Sequence, residues 1–392
     1  MKAAWIVFWK EVRENARDRR AVFAALFYGP LIGPVLFAAM MSFVLGKQQE
    51  QQEKPLELPV VGAEQAPNFV DFLKQQGVKI LPAPADPEKE IREQSHNVIL
   101  RIPPEFAKAW RAGEPAPVEL LYDASRQQAL PAFERTRGLI EGYGRLTGVL
   151  RLQVRGVSPT LVYPIAVTHR DLSTPVSRAG GFLAILPYFL VLSAFIGGMY
   201  LAIDVTAGER ERQSLEPLLI TPVSRAAILA GKLAATTAYA LLSLLICVVA
   251  FAISLPFVPA DALGFALSVP PAMGLRIAVV IAPMAFFASS LQTIIASYAR
   301  SFREAQTYLQ FLMLLPAAPS ILLAINPVKP DPWMWIAPLF SQSVLINALA
   351  RGDAVSVAQI AASVSVTLLV AFALALVAVR LYQSERIALG GG

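Results

Sequence analysis

Apolar residues come in two textures along this chain. Six stretches run without a single Asp, Glu, Lys, Arg or His: 21–46, 179–203, 233–260, 277–299, 305–328 and 354–379. A hydrocarbon core about 30 Å thick needs about 20 apolar residues in a helix, so each stretch is predicted to be a transmembrane helix. Between the first two, residues 47–178 alternate short apolar runs (56–61, 78–81, 98–102, 118–122) with helical patterns (68–76, a turn after Pro103 and Pro104, and 130–154). That alternation predicts a small α/β domain of its own, outside the membrane between spans one and two. Ahead of the first span, residues 1–20 predict an interfacial helix. Trp5, Phe8, Trp9, Val12 and Ala16 share one face, and Lys10, Arg13, Glu14, Arg17 and Asp18 the other. The uncharged segment 332–350 is broken by Pro332 and Pro338 and holds Ser341, Gln342 and Asn347. It is predicted to be a re-entrant pair of short helices near the outer leaflet, with Trp333 and Trp335 at the interface. The fold class is therefore an α-helical membrane protein with six transmembrane helices, an N-terminal interfacial helix and a large extracytoplasmic α/β domain.

Composition agrees with this. Of 392 residues 55% are hydrophobic and 16% charged, with a mean hydropathy of +0.53, whereas a soluble chain carries roughly 25% charge. The net charge of +6 bears on orientation, and no nucleic-acid partner is expected. With the N-terminus inside, fourteen basic residues fall on cytoplasmic flanks. Only Arg276, Lys329 and Arg351 fall on short outer segments, and 17 lie in the long segment, which translocates largely regardless of charge. Both termini are thus expected in the cytoplasm and the large domain on the outer side of a bacterial inner membrane. Cys247 stands alone, which excludes an internal disulfide. His96 and His169 lack supporting ligands at metal spacing, so no metal or other cofactor is expected on this chain. Gly46-Lys47 and Gly231-Lys232 are followed by Gln48 and Leu233, so neither ends a phosphate loop, and the chain is not expected to hydrolyse nucleotide. The charge-free spans also argue against a proton-coupled pump.

The segment 204–225 after the second span carries the most specific pattern. Glu209, Arg210, Glu211 and Arg212 form a charged turn. Leu215, Leu218 and Leu219 make an apolar ridge beside Glu216, and Pro217 and Pro222 limit its length. A short helix of this kind below a membrane suits insertion into a groove on another protein. The run Gly208-Glu-Arg-Glu-Arg-Gln-Ser-Leu-Glu-Pro-Leu-Leu-Ile-Thr-Pro-Val-Ser-Arg225, followed by Gly231-Lys232, closely resembles the loop of type-2 ABC exporter permeases, in particular the sodium-extrusion permeases. Similar, too, are Lys10-Glu-Val-Arg-Glu-Asn-Ala-Arg-Asp-Arg-Arg20, Tyr298-Ala-Arg-Ser-Phe-Arg-Glu-Ala-Gln-Thr-Tyr308 and Pro338-Leu-Phe-Ser-Gln342, although Phe340 and Ser341 stand where Leu-Gly is more usual. The resemblance covers essentially the whole chain. It implies a permease homodimer in the bilayer with two copies of a separate ABC ATPase, which binds the ATP and Mg. It makes residues around Glu209 to Leu219 the coupling helix, and sodium efflux the activity. Export of an amphipathic drug or lipid, and a non-transporting mechanotransmission complex acting through the outer domain, are the alternatives.

Few polar residues are placed to line a pathway. Ser289, Gln292 and Thr293 share one face of the fourth span, and Gln306, Thr307 and Gln310 open the fifth. Ser193 and Tyr200 lie in the second span, and Asp204 at its cytoplasmic edge. Such residues more often hydrogen-bond between helices, but a carboxylate with neutral oxygens also suits transient binding of a hard cation. Gln342 and Asn347 are candidates for the outer gate.

Overall fold

The computed structural model describes residues 2–126, 128–161, 168, 170–214, 222–259, 267–325 and 330–383. They fall into two compact units, Met1–Lys47 with Leu172–Gly392, and Gln48–Asp171.

Among the described residues of the first unit, six helices are long and apolar enough to cross a membrane: Ala24–Lys47, Pro175–Glu211, Arg225–Phe257, Pro271–Tyr298, Phe302–Leu323 and Val357–Gln383. Several overrun their charge-free stretches. The third begins at Arg225, where the Ser224 side chain accepts from the Ala227 amide, a cap that starts the helix a full two turns before Leu233. Lys232, expected on a cytoplasmic flank, is therefore inside the helix. The second continues through a π-helical turn, Asp204–Gly208, to Glu211. The expectation of a bundle without ionisable residues is corrected accordingly, because a charge-free window marks only the part of a helix that lipid surrounds. The fifth is two helical pieces, Phe302–Leu312 and Ala317–Ile325, interrupted where Pro316 lacks an amide hydrogen.

The fourth span is central and packs on the second, third and sixth. The first span meets the second through Gly29 and Gly33, where an added Cβ would lie 2.6 Å from Ile196 and 2.5 Å from Phe189. Segment 332–350 forms a 3-10 turn, Pro332–Trp335, and one helix, Phe340–Ala350, which is too short to span. The N-terminal helix, Lys2–Arg17, departs from the two-faced expectation. Its protein-facing side holds Val7, Phe8, Val12 and the fully buried Glu11, while Trp5, Ile6 and Trp9 stay exposed. Against the third span the close approach is at Gly231, where a Cβ would lie 2.6 Å from the Ala4 carbonyl and 2.7 Å from Val7. Packing thus chooses a third face, where Gly231 lets the two backbones approach closely.

The second unit is a four-stranded mixed sheet in the order β2-β1-β3-β4, with β1 Glu57–Val61, β2 Lys79–Leu81, β3 Val98–Arg101 and β4 Glu119–Tyr122. β1 runs parallel to β2 and β3, and β4 antiparallel to β3. Helices α1 Pro67–Gln75, α2 Pro87–Arg92, α3 Glu105–Ala112 and α4 Leu130–Val154 connect and cover it. Leu58, Val60, Leu73, Val98, Leu100 and Ile102 fill the core. Phe69 and Tyr143 pack at 4.9 Å between ring centres, Trp110 and Tyr143 at 5.5 Å, and the Arg151 guanidinium sits 4.4 Å over Trp110. After β1, Gly62 takes φ +79° with its α-carbon against the Ile102 carbonyl, a position that no side chain fits. His96 lies 3.7 Å from Glu90, and no group of three metal-ligating side chains occurs among the described residues.

Candidate functional site

The π-helical turn Asp204–Gly208 leads out of the second span, and the charged turn that follows reaches a different neighbour with every side chain. Arg210 donates to the carbonyls of Ser297 and Ala299, both at 2.9 Å. These are the last carbonyls of the fourth span, where a cation also meets the negative end of the helix dipole. Glu211 accepts from the Phe302 amide at 2.7 Å, at the start of the fifth span, whose first turn is also capped by Ser301 and Glu304. Arg212 pairs with Asp204 at 2.9 Å, both partners half-exposed. The turn therefore joins three helix ends. The ridge residues Leu215, Leu218 and Leu219, with Glu216, lie outside the described residues.

Glu209 takes the remaining neighbour. It is buried and forms an ion pair with Lys232, which is completely buried in the third span. Lys232 Nζ also donates to the Val205 carbonyl at 2.9 Å, in the π-helical turn, and to the Tyr382 hydroxyl at 3.3 Å, near the end of the sixth span. All three ammonium donors are thus satisfied, as a buried cation requires. Glu11 of the N-terminal helix is part of the same electrostatic neighbourhood. Burial pushes its carboxyl above the ordinary range, against the opposing pull of Lys10, 3.1 Å away, and of Lys232. In sequence Lys232 is the last residue before a charge-free stretch, and only the pairing of Gly231 with it hinted at a special role.

The proposed pathway residues fall into a different setting. Ser289, Gln292 and Thr293 share one buried face as spacing predicts, but that face is packed against the second span. Gln292 Nε2 donates to the Phe195 carbonyl at 2.7 Å, and its Oε1 and the Ser289 hydroxyl lie over Gly198, each 3.3 Å from where a Cβ would sit. Thr293 donates back to the Ser289 carbonyl. Ser193 and Ser243 bond at 3.0 Å between the second and third spans. Tyr200 is half-buried and packs against Phe302, and Asp204 is held by Arg212. Gln306 is half-buried in the fifth span, while Thr307 and Gln310 are exposed. Gln342 is fully buried: it accepts from the Leu339 amide at 2.7 Å and donates to Thr367 of the sixth span at 3.0 Å. This holds Leu339 at φ +72°, a conformation costing about 1–3 kcal/mol for a non-glycine residue.

Gln292 Oε1 and the Ser289 hydroxyl are buried without a hydrogen-bond partner among the described residues, and so are Asn347 Oδ1 and the Ser320 hydroxyl. Asn347 and Ser320 differ in that they line a cavity of about 1050 Å³ between the first, second and fifth spans and the short helix, walled by Phe37, Met41, Phe182, Ile185, Tyr188, Ile321 and Arg351.

The ABC-2 family transporter protein family matches residues 27–380. Over 376 residues, 94% of this chain and 96% of the other, the sequence is 24% identical to the ABC transporter permease protein NatB of Bacillus subtilis (strain 168). Six apolar helices of membrane-crossing length, a short apolar helix beside them, and a match across nine-tenths of the chain agree on one assignment: the protein belongs to the ABC-2 transporter family, as a multi-pass, non-catalytic permease subunit.

Proposed function

We propose that this chain is the membrane half of an ATP-driven exporter in the bacterial inner membrane, two copies forming the pathway and two copies of a separate ATPase docking on residues 215–219. The observation carrying this reading is the charged turn 209–212, which bonds to the third span at Lys232, to the end of the fourth and to the start of the fifth. A push on the loop reaches several spans at once. The excess of basic residues on the segments beside it supports a cytoplasmic position for this end and for both termini, and an outer position for the sheet unit. Replacing Leu215 and Leu218 together by Asp should abolish co-purification with the ATPase while membrane insertion persists, because an unpaired carboxylate in an apolar groove costs on the order of several kcal/mol. Unchanged co-purification would place the dock elsewhere.

Sodium efflux is the substrate that the sequence resemblance supports. A second reading, export of an amphipathic molecule, is favoured by one structural observation: the 1050 Å³ cavity is largely apolar with a few polar groups, the usual make-up of a site for a drug-sized or lipidic ligand. ATP hydrolysis by the complex in liposomes separates them. Stimulation by sodium at constant ionic strength supports the first, and stimulation by an amphiphile that is lost in Asn347→Leu supports the second. A response to neither points to a relay acting through the outer domain.

A further inference from the structure

We propose that Lys232 is a positioning residue that makes the N-terminal helix and the sixth span move with the loop after Glu209. The inference rests on the permease reading above and names the joint through which an ATPase would act. Its grounds are geometric. One buried ammonium is shared by a carboxylate and a carbonyl of the second span and a hydroxyl of the sixth. The residue before it, Gly231, is where the N-terminal helix closely touches the third span, and the buried Glu11 of that helix feels the charge of Lys232. Three elements therefore meet at one side chain, and the N-terminal helix packs on the residue beside it.

Stability alone is a poor reason for such a pair. Removing two charges from water is expensive, and apolar residues of similar volume commonly hold helices together as well or better. What an ion pair adds is one defined arrangement: Lys232 is satisfied only when Glu209, Val205 and Tyr382 are all in place. Val205 and Glu209 flank or belong to the π-helical turn Asp204–Gly208, a local irregularity that often marks functional positions in helices. A displacement of that turn must either break the bonds to Lys232 or carry the third and sixth spans with it.

The test compares hydrogen exchange of the full permease–ATPase complex with and without vanadate-trapped ATP. In the wild type, trapping should change the protection of 2–17 and of the end of the sixth span around Tyr382, along with the loop. The double variant Lys232→Met with Glu209→Gln removes both charges together. It should melt within a few degrees of the wild type and still bind the ATPase, but its exchange changes should be confined to the loop. Tyr382→Phe removes a hydroxyl only, so it serves as a variant expected to fold in any case. It should reduce the response of the sixth span at least about twofold while leaving that of 2–17. A double variant that folds and responds like the wild type overturns the proposal. So does a Tyr382→Phe protein with an undiminished response in the sixth span, or a wild-type complex that traps ATP without any change in 2–17. A chain that binds no ATPase at all refutes the permease reading instead.

Discussion

Lys232 and Gln292 are both fully buried in the helical unit and both reach across to backbone of the second span, yet they solve different problems. Gln292 is neutral and makes one interhelical bond, and the rest of its face consists of Ser289, Thr293 and the small Gly198 opposite. Losing it removes one bond between two helices that remain packed. Lys232 carries a charge that is tolerable only with its whole set of acceptors in place, so its environment is all-or-none. The comparison teaches that polar character inside a bundle is not itself a sign of a pathway. What matters is what the group faces: Gln292 Oε1 and Asn347 Oδ1 both lack a hydrogen-bond partner among the described residues, but Gln292 packs over Gly198 of the second span, whereas Asn347 lines a cavity.

Breaking one half of the charged pair should have the largest effect. Lys232→Met leaves the Glu209 carboxylate buried beside Glu11 without its cation, and a loss of about 3–5 kcal/mol is expected for such a stranded charge, read as a fall in melting temperature of the detergent-purified protein. If Lys232→Met melts like the wild type, the pair is not buried in the working protein. Gln292→Leu should cost less, roughly 0.6–2 kcal/mol for one hydrogen bond in a membrane, and leave transport per folded complex unchanged. Lost transport at unchanged melting temperature would return this face to the pathway and erase the contrast drawn above.

Glu11 sharpens the comparison through pH. Its carboxyl is held above the ordinary range by burial, with Lys10 and Lys232 opposing and Glu209 adding to the rise. The folded protein therefore binds this proton more tightly than the unfolded chain. The associated stabilisation is present at acid pH and is lost as pH rises from the ordinary carboxylate value through the raised one. Melting curves across that window should slope downward with pH in the wild type and less so in Glu11→Gln. The smallest effect is expected for Glu57, whose exposed ion pair with Lys79 at 2.7 Å repeats the Glu209–Lys232 chemistry in water. There the carboxyl lies below its usual range through the hydrogen bond from Lys79, so its contribution is present at neutral pH and fades as pH falls through the lowered value. Screening keeps it small, and Glu57→Gln should leave the melting temperature at pH 7 unchanged within error.

The features legible in the sequence were those with a period or a length. The apolar stretches mark six membrane-length helices because nothing shorter crosses a bilayer. The short apolar runs of 47–178 coincide with strands at Glu57–Val61, Lys79–Leu81, Val98–Arg101 and Glu119–Tyr122 because a brief uninterrupted apolar run suits a strand at the centre of a sheet, as the continuous burial of Leu58 to Val60 and of Val98 to Leu100 shows. The short helix Pro87–Arg92 was not legible, since its six residues bury only Ile91 and its start depends on the Asp86 cap. The face of the N-terminal helix was misread for a related reason. Amphipathicity reports what a helix shows to water and lipid, whereas the choice of Gly231 as the meeting point depends on the partner helix.

By itself the sequence determined the class of protein, its span number, the place of the charged turn and the family that the turn resembles, all properties of local composition and order. Only the tertiary structure decided what each charge does. Lys232 and Glu209 are separated by 23 positions, and Lys232 and Tyr382 by 150, so no local pattern relates them. Their pairing exists because the helices bury them at one place, where desolvation makes an unpartnered charge intolerable and a complete set of partners decisive.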